Sequence, residues 1–217
     1  TLNIAEKLAQ ISLEIGAIKL SPDKPFTWAS GYKMPVYNDN RLLLGNAEHR
    51  TLIAKGFMEL LNKCDAKVDV LAGTATAGIP HATTLADLLQ LPLIYVRSAA
   101  KSHGMGNRIE GPLTQNQQVI VIEDLVSTGG SAVNAVQAIR EAGGIVNHCF
   151  SIFSYGFTEA TDKFKNISCD IHSILDLSAL LKMASSTQNI SRNDVETLRS
   201  WQEAPFKWAE KKGFEQP

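Results

Sequence analysis

Ile4, Leu8, Ile11, Ile15 and Ile18 recur at steps of three and four, so one side of the opening stretch is apolar and an amphipathic helix is expected there. Ser21, Pro22, Asp23 and Pro25 end that pattern. A second helical stretch is expected over residues 47–62, with Leu52, Phe57, Leu60 and Leu61 as its apolar positions. Beyond it, short apolar runs alternate with helical patterns. Residues 68–72 precede a helix near 79–90, and Leu93–Val96 precedes an open loop. Residues 119–122 precede a helix near 130–142, and 146–153 precede polar sequence. Buried, β-branched runs alternating with helices predict an α/β fold, a parallel sheet flanked by helices on both faces. From Asp176 onward the chain reads as helical, and Trp201 and Trp208, seven apart, would share one face and dock this tail on the core.

With 217 residues and neither an internal repeat nor a Ser/Gly/Pro linker, a single domain is expected. Hydrophobic residues at 44% and charged residues at 20% give a globular mixture rather than a disordered one. Lysine plus arginine (21) against aspartate plus glutamate (22) leaves −1, which argues against a nucleic-acid partner held by a basic face. No run reaches the ~18 apolar residues of a membrane span, so no membrane partner is expected. Glu6, Lys7 and Glu14 interrupt the opening stretch, against a secretory signal. Cys64, Cys149 and Cys169 are scattered without a CxxC pair, so they read as packing thiols of a reducing, cytoplasmic compartment.

In such a sheet, ligands bind beyond the carboxyl ends of the strands. Three of the loops there are unusual. In VIVIEDLVSTGGSA, Glu123 and Asp124 stand at the carboxyl end of a buried run, followed by Leu125 and Val126. Ser127, Thr128, Gly129, Gly130 and Ser131 then form a turn of small residues opening a helix, where backbone amides and hydroxyls make a phosphate cradle. Acids for sugar hydroxyls beside that cradle point to a sugar phosphate; the plainer alternative is a capped turn with two solvated acids. In residues 95–111, Arg97, Lys101, His103 and Arg108 sit among Gly104, Gly106 and Gly111. Cations on such a loop suit a lid over an anion, and a charged surface hairpin is the alternative. In the third loop, Gly73, Thr74, Ala75, Thr76, Ala77 and Gly78 offer backbone amides to a diphosphate, or simply make a tight turn. Pro80 suits a helix start, and His81 reads as a helix-start residue rather than a catalyst.

Two acids after an apolar run, then small hydroxyl and glycine residues, resemble the 5-phosphoribosyl-1-pyrophosphate (PRPP) signature of type I phosphoribosyltransferases. No GxxxxGK[ST] or GxGxxG pattern competes with it. The K-x-H-G-x-G pattern after Y-V-R is similar to the catalytic loop of orotate phosphoribosyltransferases. PFTWASGYKMPVYNDNRLLL is similar to that family's N-terminal segment, with F-T-x-x-S-G followed by P-x-Y-x-D-N-R. Some differences stand out. Ser98, Ala99 and Ala100 occupy positions where family loops often carry another lysine, and the lysines of some relatives at Ala29 and near Ala77 are absent. Another branch has an arginine where this chain reads SYGF.

The resemblance implies a type I phosphoribosyltransferase fold over 1–217: a hood at about 1–45, a core at about 46–175, and C-terminal helices packed on that core. Glu123 and Asp124 would hold the ribose hydroxyls. Leu125 to Ser131 would bind PRPP, with the 5′-phosphate on Thr128 to Ser131. Thr74 to Gly78 would form the pyrophosphate loop. Arg97, Lys101 and His103 would meet pyrophosphate, the last two across the interface of a homodimer with shared active sites. Lys101, His103 and Asp124 are the catalytic candidates. Tyr37 and Ser127 would contact orotate, with Phe26 supporting the hood. Magnesium would arrive with PRPP rather than in a protein cage. The implied reaction is transfer of phosphoribose from PRPP to orotate, giving orotidine 5′-monophosphate and pyrophosphate in pyrimidine synthesis. A phosphoribosyltransferase for another base and a PRPP-sensing regulator are the alternatives.

Overall fold

The structure, a computed structural model, describes residues 2–99, 108–215 and 217. Helix α1 (Ile4–Glu14) starts at Asn3, whose side chain accepts from the Glu6 amide while Glu6 returns a bond to the Asn3 amide. It stops sooner than the apolar spacing predicts. Gly16 takes φ +72°, and Ile18 falls in β1 (Ile18–Leu20), so one apolar stripe runs across a helix and a strand. Short strands follow: β2 (Phe26–Thr27), β3 (Lys33–Met34) and β4 (Val36–Asn38). β1 pairs antiparallel with β4, and β2 with β3.

After a 3-10 turn at Asn40–Gly45 comes α2 (Ala47–Cys64), capped by Asn46. The chain then enters β5 (Val70–Thr74), α3 (Gly78–Leu89), β6 (Leu93–Val96) and β7 (Ile109–Glu110). It continues through β8 (Gln118–Val126), α4 (Gly130–Glu141), β9 (Ile145–Ser154), α5 (Thr158–Asn166) and β10 (Asp170–Asp176). Helices α6 (Leu177–Ser186), α7 (Arg192–Glu203) and α8 (Pro205–Lys211) complete it. The central six-stranded sheet has the order β10-β9-β8-β5-β6-β7. Its pairings are parallel except at the β7 edge, which is antiparallel to β6, so the sheet is mixed rather than wholly parallel.

Alternate residues of the strands feed two cores. Leu71, Ile120, Ile122, Phe150 and Ile152 pack with apolar residues of α1, α2, α3 and α6. Val70, Ala72, Val119, Val121 and Cys149 pack with those of α4 and α5 on the other face. Burying both faces explains why these strands are continuous apolar runs.

Two elements depart from the sequence expectation in ways that matter below. β8 does not end at Ile122. It pairs with β5 only as far as Gly73 opposite Ile122, but stays paired with β9 through Val126 opposite Ser154. Glu123 and Asp124 therefore lie within the strand, beyond the point where β5 leaves it. The chain also adds β10 before the tail turns helical at Leu177, and places α5 in the polar stretch after β9. Trp201 and Trp208 sit on different helices, because Ala204 and Pro205 break the run; both are buried in the same core. Trp201 donates through Nε1 to Met34 Sδ at 3.1 Å, tying α7 to β3.

Candidate active site

Strand order locates the site. The chain passes from β5 to β6 on one side, then returns to place β8 on the other side of β5. Where the winding direction reverses, the loops after neighbouring strands diverge and leave a crevice at their carboxyl ends. The loop after β5 and the end of β8 meet there. Gly78 sits so close to β8 that a Cβ would come 2.5 Å from the Ile122 carbonyl oxygen and 2.5 Å from Thr74 Oγ1. Thr74 Oγ1 donates to that same carbonyl at 3.2 Å.

Glu123 is buried at this junction. Its Oε1 accepts from the Asp124 amide at 3.0 Å, and Ser131 Oγ lies 3.5 Å from its Oε2. Burial, reinforced by the Asp124 carboxyl beside it, pushes the Glu123 pKa up to about 8. Asp124 is half-buried, and its carbonyl accepts from Asn40 Nδ2 at 2.8 Å. Asn40 is itself buried, so it anchors the N-terminal segment to the acid-bearing strand. Arg41, paired with Asp39 at 2.6 Å, adds a positive charge near Asp124.

Downstream, Ser127 and Thr128 lead to Gly129, whose φ of +80° makes it the residue before α4. A Cβ there would meet Ala160 at 3.3 Å. Among the described residues no side chain caps the first turn of α4, so the amides at its start are open to a ligand at the positive end of the helix dipole. Helix α3 likewise begins at Ala77 without a side-chain cap. Two such helix starts beside one acid pair can receive two separate anionic groups. His81, in the second turn's approach of α3, is buried rather than poised at the loop, and burial lowers its pKa to about 4.

Beside the acids lies an apolar cavity of about 370 Å³ lined by Thr27, Trp28, Ala29, Ser30, Tyr37, Asn38, Leu125, Ser127 and Tyr155. Phe26 and Tyr37 rings stand 5.7 Å apart, so Phe26 supports the wall that Tyr37 forms. Trp28 donates to the Val36 carbonyl at 2.8 Å and packs on Tyr155 at 5.4 Å. Asn38 is the cavity's polar surprise: both its amide nitrogen and oxygen are buried with no partner among the described residues. Trp28, Asn38, Asn40 and Tyr155 were not singled out by the sequence reading. Asn40 sits in the D-N-R motif, but nothing in the sequence couples residues near 28–38 to Tyr155.

Arg97 is hydrogen-bonded to its surroundings: its amide donates to the Arg108 carbonyl at 2.8 Å, and its guanidinium stands 3.6 Å from Glu110. Lys101 and His103 lie outside the described residues. The structure thus brings together Thr74 to Gly78, Glu123 to Ser131 and Tyr37.

The phosphoribosyl transferase domain family matches residues 45–174. An orotate phosphoribosyltransferase of Listeria monocytogenes is 45% identical over 207 residues, covering 95% of this chain and 99% of its own. The crystal structure of an orotate phosphoribosyltransferase from Aeropyrum pernix superposes with a TM-score of 0.73 at 27% identity, over 82% of this chain and 98% of that one. A Mycobacterium tuberculosis orotate phosphoribosyltransferase in complex with PRPP gives a TM-score of 0.63 at 26% identity, over 82% and 99%.

Proposed function

Because the chain belongs to the orotate phosphoribosyltransferases, within the phosphoribosyl transferase domain family, we propose a division of labour for its residues in that family's reaction. The reaction transfers the 5-phosphoribosyl group of PRPP to orotate, releasing pyrophosphate and giving orotidine 5′-monophosphate for pyrimidine synthesis. The observation that carries the residue assignment is the acid pair Glu123–Asp124, set between an uncapped helix start and an apolar cavity wide enough for a pyrimidine.

Asp124, with Glu123 behind it, holds the ribose hydroxyls, and the amides and hydroxyls of Thr128 to Ser131 hold the 5′-phosphate. The amides of Thr74 to Gly78 face the pyrophosphate. As the bond from C1′ to pyrophosphate breaks, positive charge grows on the sugar and negative charge on the leaving group. The carboxylate at Asp124 favours the first, and cations are needed for the second. Arg97 supplies one, and Lys101 and His103, by the family resemblance, supply others from the neighbouring subunit of a homodimer.

Magnesium fits as a passenger. Glu123 turns both oxygens toward protein donors, and among the described residues no third ligand group joins this acid pair, so its oxygen donors would complete a shell made mainly by PRPP and water. When bound with PRPP, Mg2+ would supply charge stabilisation for the departing pyrophosphate.

Orotate fits the cavity with its ring against Tyr37 and its polar edge toward Ser127 and Asn38. A buried amide with an open donor and an open acceptor complements the N–H and C=O of a pyrimidinedione. Among the described residues no helix is long and apolar enough to cross a membrane, and the three free cysteines agree with a cytoplasmic enzyme. The test is turnover with PRPP and Mg2+ on orotate beside uracil, adenine and hypoxanthine. Orotate alone should be consumed; turnover of adenine with none of orotate would overturn the reading.

A further inference from the structure

At the opposite end of the sheet, Cys64, His148 and His172 converge from three elements. His148 lies early in β9, opposite Ile120, and Glu123 is opposite Ser151, so three residues put His148 ~10 Å along the strand from the first of the acids. In the β9–β10 register, His148 opposes Asp170 and Phe150 opposes His172, so the two imidazoles are diagonal neighbours on one face, with ring centroids 5.6 Å apart. The carboxyl end of α2 brings Cys64 over that face, where its Sγ lies 3.5 Å from His172 Nε2. One ligand atom from each of the three lies within 4.8 Å of the others.

We propose that Cys64, His148 and His172 form a binding site for a borderline-soft divalent cation of the zinc class. A tetrahedral centre with Zn–S near 2.3 Å and Zn–N near 2.05 Å holds sulfur and nitrogen ~3.6 Å apart, which matches the Cys64–His172 separation and asks only a small inward shift of His148. One thiolate with two imidazoles selects such a cation over Mg2+ or Ca2+, which take oxygen ligands. His148 Nδ1 is buried with no hydrogen-bond partner among the described residues, 3.9 Å from Asp170 Oδ2. The Asp170 carboxylate can orient that imidazole or complete the shell, and water can fill the remaining position. All three ligands are half-buried, which leaves a path for the ion. On binding, the Cys64 sulfur exchanges its proton for the metal bond, and one proton leaves to solvent.

Cobalt(II) titrated into the full chain should bind at one equivalent with a thiolate-to-metal charge-transfer band and the visible spectrum of a tetrahedral centre, and Zn2+ should displace it. Cys64→Ser should abolish the charge-transfer band, and His172→Gln should weaken binding at least tenfold, while orotate turnover stays within twofold. Alkylation provides a second reading that needs no variant. Cys149 and Cys169 are buried, so Cys64 is the accessible thiol; Zn2+ should slow its modification at least tenfold, and Mg2+ should not. No charge-transfer band in the full chain, or equal Zn2+ affinity in the Cys64→Ser variant, or unprotected alkylation of Cys64 would each overturn the proposal.

Discussion

Glu123 keeps its proton at pH values where an ordinary carboxyl has lost it, because its site is dry and a second carboxyl stands beside it. From 4.5, its ordinary value, up to about 8, the folded chain holds a proton that the unfolded chain has released. The contribution to stability is therefore complete below about pH 4.5, declines as pH rises, and is gone above about pH 8. Glu123→Gln, neutral throughout, should gain stability over the parent as pH rises from about 5 to about 9. The rise from 4.5 to about 8 corresponds to roughly 5 kcal/mol, and relaxation of the site should leave ~2–3 of it. His81 has the opposite sign, losing stability as pH falls from 6.5 toward about 4, but it is common to both proteins and cancels in the difference. Thermal melts across that range decide it; a constant difference would mean that Glu123 ionises freely. Asn38 gives a second residue-scale prediction. Asn38→Ala removes the paired donor and acceptor of the cavity wall, so orotate KM should rise ~10-fold or more, as expected when a ~1.5 kcal/mol hydrogen bond is lost, with PRPP KM unchanged. Equal effects on both substrates would place Asn38 in the frame of the segment instead of the base site.

At the scale of elements, what the sequence made legible depended on whether an element makes its pattern alone. The apolar runs at β5, β8 and β9 are buried on both faces and announce themselves, β6 shows as a short apolar run although Tyr95 in it is exposed, and α2, α3 and α4 sit within two residues of their expected bounds. β10 was missed because Asp170, His172 and Ser173 dilute its pattern; only Ile174 and Leu175 of it are deeply buried. β1 to β4 have two or three residues each, too few for any period to show. Helix α5 buries only Ala160 and Phe164 and reads as a polar loop. The loops of the site were legible because small residues and acids have no reason to follow a buried strand unless something is held there. The cavity was not, because Trp28 and Tyr155 become neighbours only through the packing of the N-terminal strands against the end of β9. The loop after β5 is the element most constrained by this packing. Gly78→Ala would drive a Cβ against the Ile122 carbonyl, backbone that cannot swing away. A loss of ~2 kcal/mol or more is expected, or ~4–8 °C in Tm for a chain of this length, together with weaker PRPP use. Gly130→Ala is the control, since a Cβ there meets nothing within 4 Å and alanine favours a helix. Equal Tm for both variants would show that the loop after β5 is free to shift away from β8.

For the whole molecule, the question is whether one subunit suffices. The described part of the chain carries the acid pair, the uncapped start of α4 and the apolar cavity, but the described cations near them are few: Arg41 is paired with Asp39, and Arg97 stands beside Glu110. Leaving-group charge still has to be met, and Lys101 is the sequence's candidate, reaching in the resembling family from the neighbouring subunit. Lys101→Ala should lower kcat by ~10²–10³ with little change in orotate affinity, because that contact matters most as charge develops. Asp124→Asn should be similarly impaired through the ribose. If the sites are shared, mixing the two impaired chains restores activity. Random exchange makes half of the dimers mixed, and each mixed dimer has one site with Asp124 from one chain and Lys101 from the other. About a quarter of all sites should then work, an estimate that rests on two-fold symmetry. Subunit exchange is verified separately by pulling down a tagged chain with an untagged one. Confirmed exchange with activity no higher than that of the single variants would mean that Lys101 serves its own subunit, and pairing of chains would then have to be explained by stability instead of chemistry.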